Sequence, residues 1–489
     1  MKLIKSLLCA GLVALASASE PLTPDKAEAD IKTDQLLNVL RSLEKIARDN
    51  GGNRAFGTPG YNASLDFVLE RAAKRFGAHM DTFVQPFDHL FHQVRKIEVE
   101  GPGGHPVHVI SLRYNPATPL PGGITGRLVY MPVDDGRGTG CTEDQWAKLD
   151  VEGKIPLVKR GKCAFADKVK FAKNKGATAV IFYNNTPGTA YGSPTLQAIN
   201  VGKLIPSGLV PLEDGDAWTR RLKANETLEV TLVVDSIAET RPSWNIISET
   251  KEGDPNNVVM LGAHLDSVLA GPGVNDDGSG TAALLEIMGS FTKYKGFKNK
   301  VRFAWWGAEE SGLIGSMYYG SKLSEAEADK IRFYFNYDMI ASVVPFYAVY
   351  ADNDAHRLGA DPIAEYLRSK GKPADVRNFG TSRDYVAFLK LGIPSSGIFT
   401  GAGSLNDPCY HLACDTIDNI NWDAMTVNTK AAARTAAKFA LSLDGVPRRN
   451  KTSVNPRSII GIRRTFDTWA NTLKAVDKTH NCGSGDGVI

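Results

Sequence analysis

The sequence of 489 residues lacks long hydrophobic runs: beyond its first residues, no stretch approaches the roughly 18 consecutive apolar residues of a membrane span. We therefore expect no transmembrane helix. It also lacks an excess of charge of either sign, with 57 Lys and Arg against 54 Asp and Glu. Because binding to nucleic acid or an anionic membrane depends on basic patches, this balance gives no reason to expect such partners.

Internal repeats and long low-complexity tracts are also absent. Apolar residues make up 43% of the chain and charged residues 23%, a balance that is typical of globular proteins and excludes extensive disorder. At roughly 100–200 residues per domain, the length allows two or three domains.

The first 18 residues have the features of a secretory signal peptide. Lys2 and Lys5 precede an apolar run over residues 7–16, and Ala16-Ser17-Ala18 is a small-x-small cleavage site. The run is too short to cross about 30 Å of hydrocarbon. We therefore expect a secreted protein, although the same signal would serve a vacuolar or lysosome-like compartment.

Secretion changes the meaning of the few cysteines and of the Asn-x-Ser/Thr triplets. Cys9 would leave with the signal peptide, and Cys482 has no obvious partner. In an oxidising compartment the other cysteines suit two local disulfides, Cys141–Cys163 and Cys409–Cys414. The candidate glycosylation sites are Asn62, Asn184, Asn225 and Asn450.

The composition predicts several segments after the signal peptide. Residues 115–126 are rich in Pro and Gly and mark a boundary. The next segment contains no cluster of metal-ligating residues, which favours an accessory domain. The predicted divisions are an N-terminal part of the catalytic domain (19–120), the accessory domain (121–235), the catalytic domain (236–445) and a C-terminal tail (446–489).

The catalytic segment has an α/β pattern. Four short apolar runs, at 258–263, 301–306, 331–335 and 393–399, lack the alternation of half-exposed strands. Runs of this kind indicate strands buried on both faces of a sheet with helices on either side. A helix is predicted over 281–294, with Ser279 as its N-cap.

Metal-type residues follow several of these strands, where open α/β sheets bind ligands. Each has a structural explanation when taken alone: a histidine after a strand is usually structural, and Glu309-Glu310 could be a solvated loop. Taken together, two imidazoles and three carboxylates can hold two zinc ions, with one carboxylate bridging. The predicted ligands are His264, Asp276, Glu310, Asp338 and His411.

Two further acidic residues have distinct predicted roles. Asp266 follows His264 by two residues, and we predict that it accepts the second ring N–H of that histidine. Glu309 is adjacent to Glu310, so one carboxylate can bind metal while the other acts as the general base. Zinc is the expected metal, although cobalt or manganese could occupy the same ligands.

The order and surroundings of these segments resemble metallopeptidase family 28, the co-catalytic zinc aminopeptidases, especially its secreted fungal leucine aminopeptidase and vacuolar aminopeptidase Y groups. The resemblance implies a zinc aminopeptidase fold, with a mixed, mostly parallel sheet between helices. The segment from Cys141 to residue 185, with Gly153-Lys154-Ile155, resembles the smaller α+β protease-associated domain that these enzymes carry as an insertion. We expect a monomer acting on peptides with a free N-terminus.

The resemblance also implies roles for individual residues. Glu309 corresponds to the general base, Tyr410 to the residue that stabilises the oxyanion, and Asp266 to a supporting carboxylate. Asp276-Asp277 corresponds to a site with a cis peptide. The substrate pocket, which would favour leucine-like first residues, is predicted to involve Met339, Asp384, Tyr385 and Phe399.

One departure from the family pattern affects this pocket. The family usually has Gly-x-Ser-Asp-Tyr-x-x-Phe, whereas residues 380–388 here are Gly-Thr-Ser-Arg-Asp-Tyr-Val-Ala-Phe. Arg383 therefore resembles an inserted residue beside the pocket.

Three other functions share parts of this pattern. A receptor ectodomain of the same fold would have lost its ligands, but all five are present here. A glutamate-carboxypeptidase-like enzyme would carry a membrane anchor and a long helical C-terminal domain. A glutaminyl-cyclase-like transferase uses a single zinc, whereas this chain retains both His264 and Asp338.

Overall fold

The computed structural model describes residues 20–188 and 194–450, together with residues 470 and 474. The predicted signal peptide, Cys482 and most of the predicted tail lie outside these residues. The chain divides into two compact units. Unit 1 comprises Met1–Gln85 and Trp244–Ile462, and unit 2 comprises Pro86–Ser243 and Arg463–Ile489.

The elements of the described residues alternate along the chain. The strands are β1 (Glu20–Pro21), β2 (Met80–Gly101), β3 (His105–Val107), β4 (Ile124–Tyr130), β5 (Ile155–Lys159), β6 (Val180–Tyr183), β7 (Ser207–Val210), β8 (Glu229–Thr250), β9 (Asp254–His264), β10 (Tyr294–Lys295), β11 (Asn299–Trp306), β12 (Ile331–Tyr337), β13 (Ala348–Tyr350), β14 (Asp375–Arg377) and β15 (Ser395–Phe399). The α-helices are α1 (Pro24–Asp30), α2 (Thr33–Asp49), α3 (Pro59–Leu69), α4 (Glu143–Trp146), α5 (Phe165–Asn174), α6 (Leu212–Lys223), α7 (Gly278–Phe291), α8 (Ile314–Lys322), α9 (Glu325–Lys330), α10 (Asp354–Ser369), α11 (Tyr385–Lys390) and α12 (Trp422–Leu441).

Unit 1 contains a mixed, mostly parallel sheet, which confirms the predicted fold class. Its strand order is β14-β13-β15-β12-β9-β11-β8. The central strands β15, β12, β9 and β11 are parallel, whereas β8 is antiparallel to β11 and β13 is antiparallel to β15. The four apolar runs identified in the sequence lie in these central strands.

Both faces of this sheet are buried, which explains the absence of alternation in the strands. Trp305 packs in the main core with residues of α7 and α12, such as Met288 and Phe439. The next residue, Trp306, points to the opposite face because successive side chains of a strand alternate. There its ring contacts those of Tyr319 in α8 and Phe388 in α11. Helices therefore cover the sheet on both sides.

Helix α7 begins directly at the carboxyl edge of the sheet. Its N-cap is Asp277, whose side chain accepts the N–H of Gly280, so the predicted cap at Ser279 is wrong by two residues. A Cβ on Gly280 would lie 2.0 Å from the carbonyl oxygen of Tyr337, so glycine permits this close approach to β12. The bond between Asp276 and Asp277 is cis, as the resemblance implies.

Unit 2 has a smaller sheet of its own. Strands β4, β5, β6 and β7 are parallel neighbours, and the first part of β8 is antiparallel to β4. Two apolar clusters stabilise the unit, one around Trp146 and one around Trp218. The Cys141–Cys163 disulfide is present, with its Cα atoms 5.7 Å apart. These features confirm the predicted α+β insertion.

Among the residues that the structure describes, no helix is both long enough and apolar enough to span a membrane.

Candidate metal centre and active site

The predicted metal ligands cluster at the carboxyl edge of the unit 1 sheet. His264 is the last residue of β9, and Asp338 directly follows β12. Glu309 and Glu310 lie in the loop that follows β11. Because these three strands are parallel neighbours, their carboxyl ends open at the same edge.

The five predicted ligands form two groups of three that share one carboxylate. The first group is His264, Asp276 and Asp338, and the second is Asp276, Glu310 and His411. In each group the ligand atoms lie within 4.8 Å of one another. Oδ1 of Asp276 is 3.1 Å from Nε2 of His264, and its Oδ2 is 3.2 Å from Nε2 of His411. Asp276 therefore links the two halves of the site.

Each group contains a buried oxygen without a hydrogen-bond partner in the described part of the chain. These atoms are Oδ1 of Asp338 and Oε1 of Glu310. A buried carboxylate oxygen that lacks a partner is costly, so a bound cation accounts for both atoms. Imidazole and carboxylate donors in this number suit zinc, and both groups therefore fit as zinc sites.

The titration of these groups also indicates excess negative charge. Burial raises the pKa of Glu310 to about 7, and the Asp276 carboxylate adds to the increase. Burial also raises the pKa of Glu309 well above its ordinary value. Burial opposes ionisation of Asp276 as well, but hydrogen bonds with His264 and His411 lower its pKa. A divalent cation would favour the ionised form of every ligand carboxylate.

The structure corrects the contact predicted for Asp266. Nδ1 of His264 is 2.9 Å from the backbone carbonyl oxygen of Asp266 but 3.8 Å from its carboxylate. The carboxylate is directed instead at the loop after β11, where it accepts the N–H of Glu309 at 3.0 Å and that of Glu310 at 3.3 Å. Asp266 thus positions the histidine through its backbone and the two glutamates through its side chain.

The segment around Asp415 holds the loop that carries Asp276. The Asp415 carboxylate accepts the N–H of Asn275 at 2.9 Å and that of Asp276 at 3.1 Å. The side-chain amide of Asn275 donates to Asp407 at 2.6 Å. The sequence analysis gave Asp407 and Asp415 no role, although both lie in the segment that contains His411.

Asp277 connects three elements at the same point. Its carboxylate accepts the N–H of His264 at 3.1 Å, that of Met339 at 3.2 Å and that of Gly280 at 2.8 Å. These bonds join the ends of β9 and β12 to the start of α7. The sequence analysis identified Asp277 only as part of the cis peptide.

Arg54 is a fully buried residue that the sequence analysis missed. Its guanidinium donates to three backbone carbonyl oxygens, those of Leu265, Pro272 and Gly273. These carbonyls belong to the loop that joins His264 to Asp276. Arg54 follows no strand and belongs to no motif that we recognised, so its role became visible only in the fold.

The disulfide predicted between Cys409 and Cys414 is present, with Cα atoms 5.2 Å apart. It encloses Tyr410 and His411, whose rings stack with centroids 3.8 Å apart. Burial raises the pKa of the Tyr410 hydroxyl. The hydroxyl therefore keeps its proton near neutral pH and can donate a hydrogen bond.

The residues predicted to form a substrate pocket lie around Asp338. Met339 is the next residue in the chain and is buried, while Phe399 is half-buried at the end of β15. Asp384 and Tyr385 are buried where α11 begins.

Arg383, the residue that departs from the family pattern, contacts this pocket. Its Nη1 is 2.5 Å from Oδ2 of Asp338, and its guanidinium carbon is 3.9 Å from the ring centroid of Phe399. The departure therefore affects the site itself.

The four candidate glycosylation sites differ in exposure. Asn62, Asn225 and Asn450 are exposed. Asn184 is fully buried, and its amide donates to both the backbone oxygen and the hydroxyl of Thr186. Only the three exposed residues are accessible to a glycan.

Comparison with known families agrees with this architecture. Residues 245–436 match Peptidase family M28, and residues 124–218 match the PA domain. Over 516 aligned residues the chain is 36% identical to a probable leucine aminopeptidase 2 of Aspergillus oryzae, covering 99% of this chain and 98% of that protein.

Solved structures with the same fold are aminopeptidases. The aminopeptidase from Aneurinibacillus sp. strain AM-1 superposes with a TM-score of 0.66 at 27% identity, covering 89% of this chain and 98% of that one. BSAP, a zinc aminopeptidase from Bacillus subtilis, gives a TM-score of 0.60 at 25% identity and covers 87% and 97%.

Replacing Arg54 by Met should destabilise the protein and weaken zinc binding. The change leaves three carbonyl oxygens of the 265–273 loop without their donor, and we expect a loss of about 2–4 kcal/mol in the free energy of unfolding. Urea denaturation and zinc content measure the two effects. The exposed Arg377→Met variant is the control, and wild-type stability in R54M would contradict the role of Arg54.

Proposed function

The chain belongs to peptidase family M28, and from this premise we propose that it is a secreted, two-zinc aminopeptidase that hydrolyses the first peptide bond of peptides. The observation that carries the proposal is the shared carboxylate of Asp276, which joins two ligand groups beside the buried Glu309. The aminopeptidase relatives, one of them a zinc enzyme by name, support the same conclusion.

The two groups would each hold one zinc ion. His264 and Asp338 would bind the first, Glu310 and His411 the second, and Asp276 both. When bound, zinc supplies a Lewis acid that activates water and polarises the peptide carbonyl. The partnerless oxygens of Asp338 and Glu310 support this assignment.

Glu309 is the proposed general base. Its backbone N–H is fixed by Asp266, and it is adjacent to the ligand Glu310. Burial raises the pKa of Glu309, which suits a group that must accept a proton near neutral pH. In the proposed reaction its carboxylate takes a proton from the attacking water and then delivers that proton to the leaving amine.

Tyr410 and the surrounding carboxylates orient the substrate. The protonated Tyr410 hydroxyl donates a hydrogen bond to the oxyanion that develops on the scissile carbonyl. The free α-amine of the peptide is held beside the acidic group that contains Asp338, which restricts the enzyme to N-termini. Met339, Tyr385 and Phe399 offer apolar surface for a leucine-like first side chain.

The proposal also includes the cellular setting. The signal-like first residues and the two disulfides favour an oxidising compartment, outside the cell or in a vacuole. Glycosylation is proposed at Asn62, Asn225 and Asn450, which are exposed. We propose that the enzyme acts as a monomer.

A panel of aminoacyl-p-nitroanilides, each with a free and an N-acetylated amine, tests the function. We expect hydrolysis of the free-amine substrates alone, fastest with Leu or similar residues, because the site binds the charged amine. A chelator should abolish the activity and added zinc should restore it. Folded, zinc-loaded protein that cleaves none of the substrates would favour a receptor-like function instead.

Replacing Glu309 by Gln should lower kcat by about 10²–10⁴-fold, since it removes the general base. Because Glu309 is not among the proposed ligands, the zinc content should stay at the wild-type level. Steady-state kinetics and metal analysis of the same preparation check both expectations. More than about a tenth of wild-type kcat would exclude the proposed role.

Zinc stoichiometry distinguishes the shared ligand from the others. His264→Ala and His411→Ala should each retain about one zinc ion per chain, because each histidine belongs to one group. Asp276→Ala should lose both ions. Metal analysis after dialysis measures the content, and two retained ions in D276A would contradict the bridging role.

A further inference from the structure

A positive charge lies inside the proposed substrate pocket. The Arg383 side chain is only 11% exposed. One edge of its guanidinium donates to Asp338, and one face covers the ring of Phe399. The same guanidinium also interacts with the hydroxyl of Tyr350. These contacts hold the charge in one place.

Arg383 is not neutralised by its neighbours when the metal is bound. Asp338 is its ion-pair partner, but in the proposed function this carboxylate also binds a cation. The adjacent Asp384 is fully buried, and its charge interacts with His264 and Glu309 at the catalytic side of the site. The pocket wall formed by Arg383 therefore keeps a net positive charge.

The first side chain of a bound peptide would pass close to this wall. The α-amine is proposed to lie beside the group that contains Asp338, and the first side chain leaves from the neighbouring α-carbon. At an effective dielectric constant of about 20, like charges about 6 Å apart repel by enough to change a rate roughly a hundredfold. A guanidinium face also packs on apolar groups, so it does not disfavour leucine-like residues.

We propose that Arg383 is a specificity-determining residue that rejects peptides whose first residue is lysine or arginine. The pocket accepts uncharged and acidic first residues. This inference rests on the proposed aminopeptidase function and specifies the substrate class of the same site.

The test compares lysine with norleucine p-nitroanilide, because the two side chains differ by the terminal ammonium group. For the wild type we expect kcat/KM to be at least about tenfold higher for norleucine. In Arg383→Met, which removes the charge but keeps an apolar chain over Phe399, this ratio should fall at least about tenfold. Glutamate measured against glutamine should change in the opposite sense, with the acidic substrate losing its advantage in the variant.

A matched control separates charge from packing. Arg377 stacks on the neighbouring ring of Phe346 with its guanidinium carbon 4.7 Å from the centroid, but its side chain is 54% exposed. Arg377→Met should leave the norleucine-to-lysine ratio unchanged. A purely structural defect in R383M would lower the rates for both substrates together and leave the ratio unchanged as well.

The outcomes are distinguishable. A wild-type enzyme that hydrolyses no free-amine substrate would overturn the proposed function itself. Hydrolysis of lysine and norleucine substrates at equal rates, or a ratio that R383M changes less than about threefold, would overturn only the role of Arg383. If R383M hydrolyses neither substrate, the same ratio is measured from the dissociation constants of lysine and norleucine hydroxamates, by calorimetry on zinc-loaded protein.

Discussion

The site depends on a single carboxylate, that of Asp276, because both ligand groups share it. Its two oxygens face imidazoles that are 147 positions apart in the chain, one after β9 and one inside the disulfide loop. A displacement of this side chain would disrupt both groups together. The surrounding structure fixes it from several directions, through the N–H bonds to Asp415 and through the start of α7.

The second constraint is the cost of burying many carboxylates together. The supporting acids offset this cost with backbone donors: Asp266 accepts two N–H groups, Asp277 accepts three and Asp415 accepts two. The proposed ligands Asp338 and Glu310 instead leave an oxygen without a donor. The division suggests that the supporting acids build the site, while the ligand acids reserve their oxygens for a cation.

The sequence was informative where a residue type and its place in an element were both distinctive. Unbroken apolar runs predicted the central strands, and their ends located the residues that the fold brings together. The direction of a side chain was not predictable: Asp266 uses its carbonyl for His264 and its carboxylate elsewhere. Arg54 was missed because its partners are backbone carbonyls, which leave no trace in the sequence.

Arg383 shows how substrate choice can vary while the chemistry stays the same. The ligands and the proposed base depend on strand ends and on a network of backbone bonds, so they tolerate little change. The residues before α11 belong to a loop, where substitutions cost less stability. Asp338 connects the two regions, since one of its oxygens faces the ligand group and the other faces Arg383. A change in the loop can therefore alter the charge that meets the substrate without moving the ligands themselves.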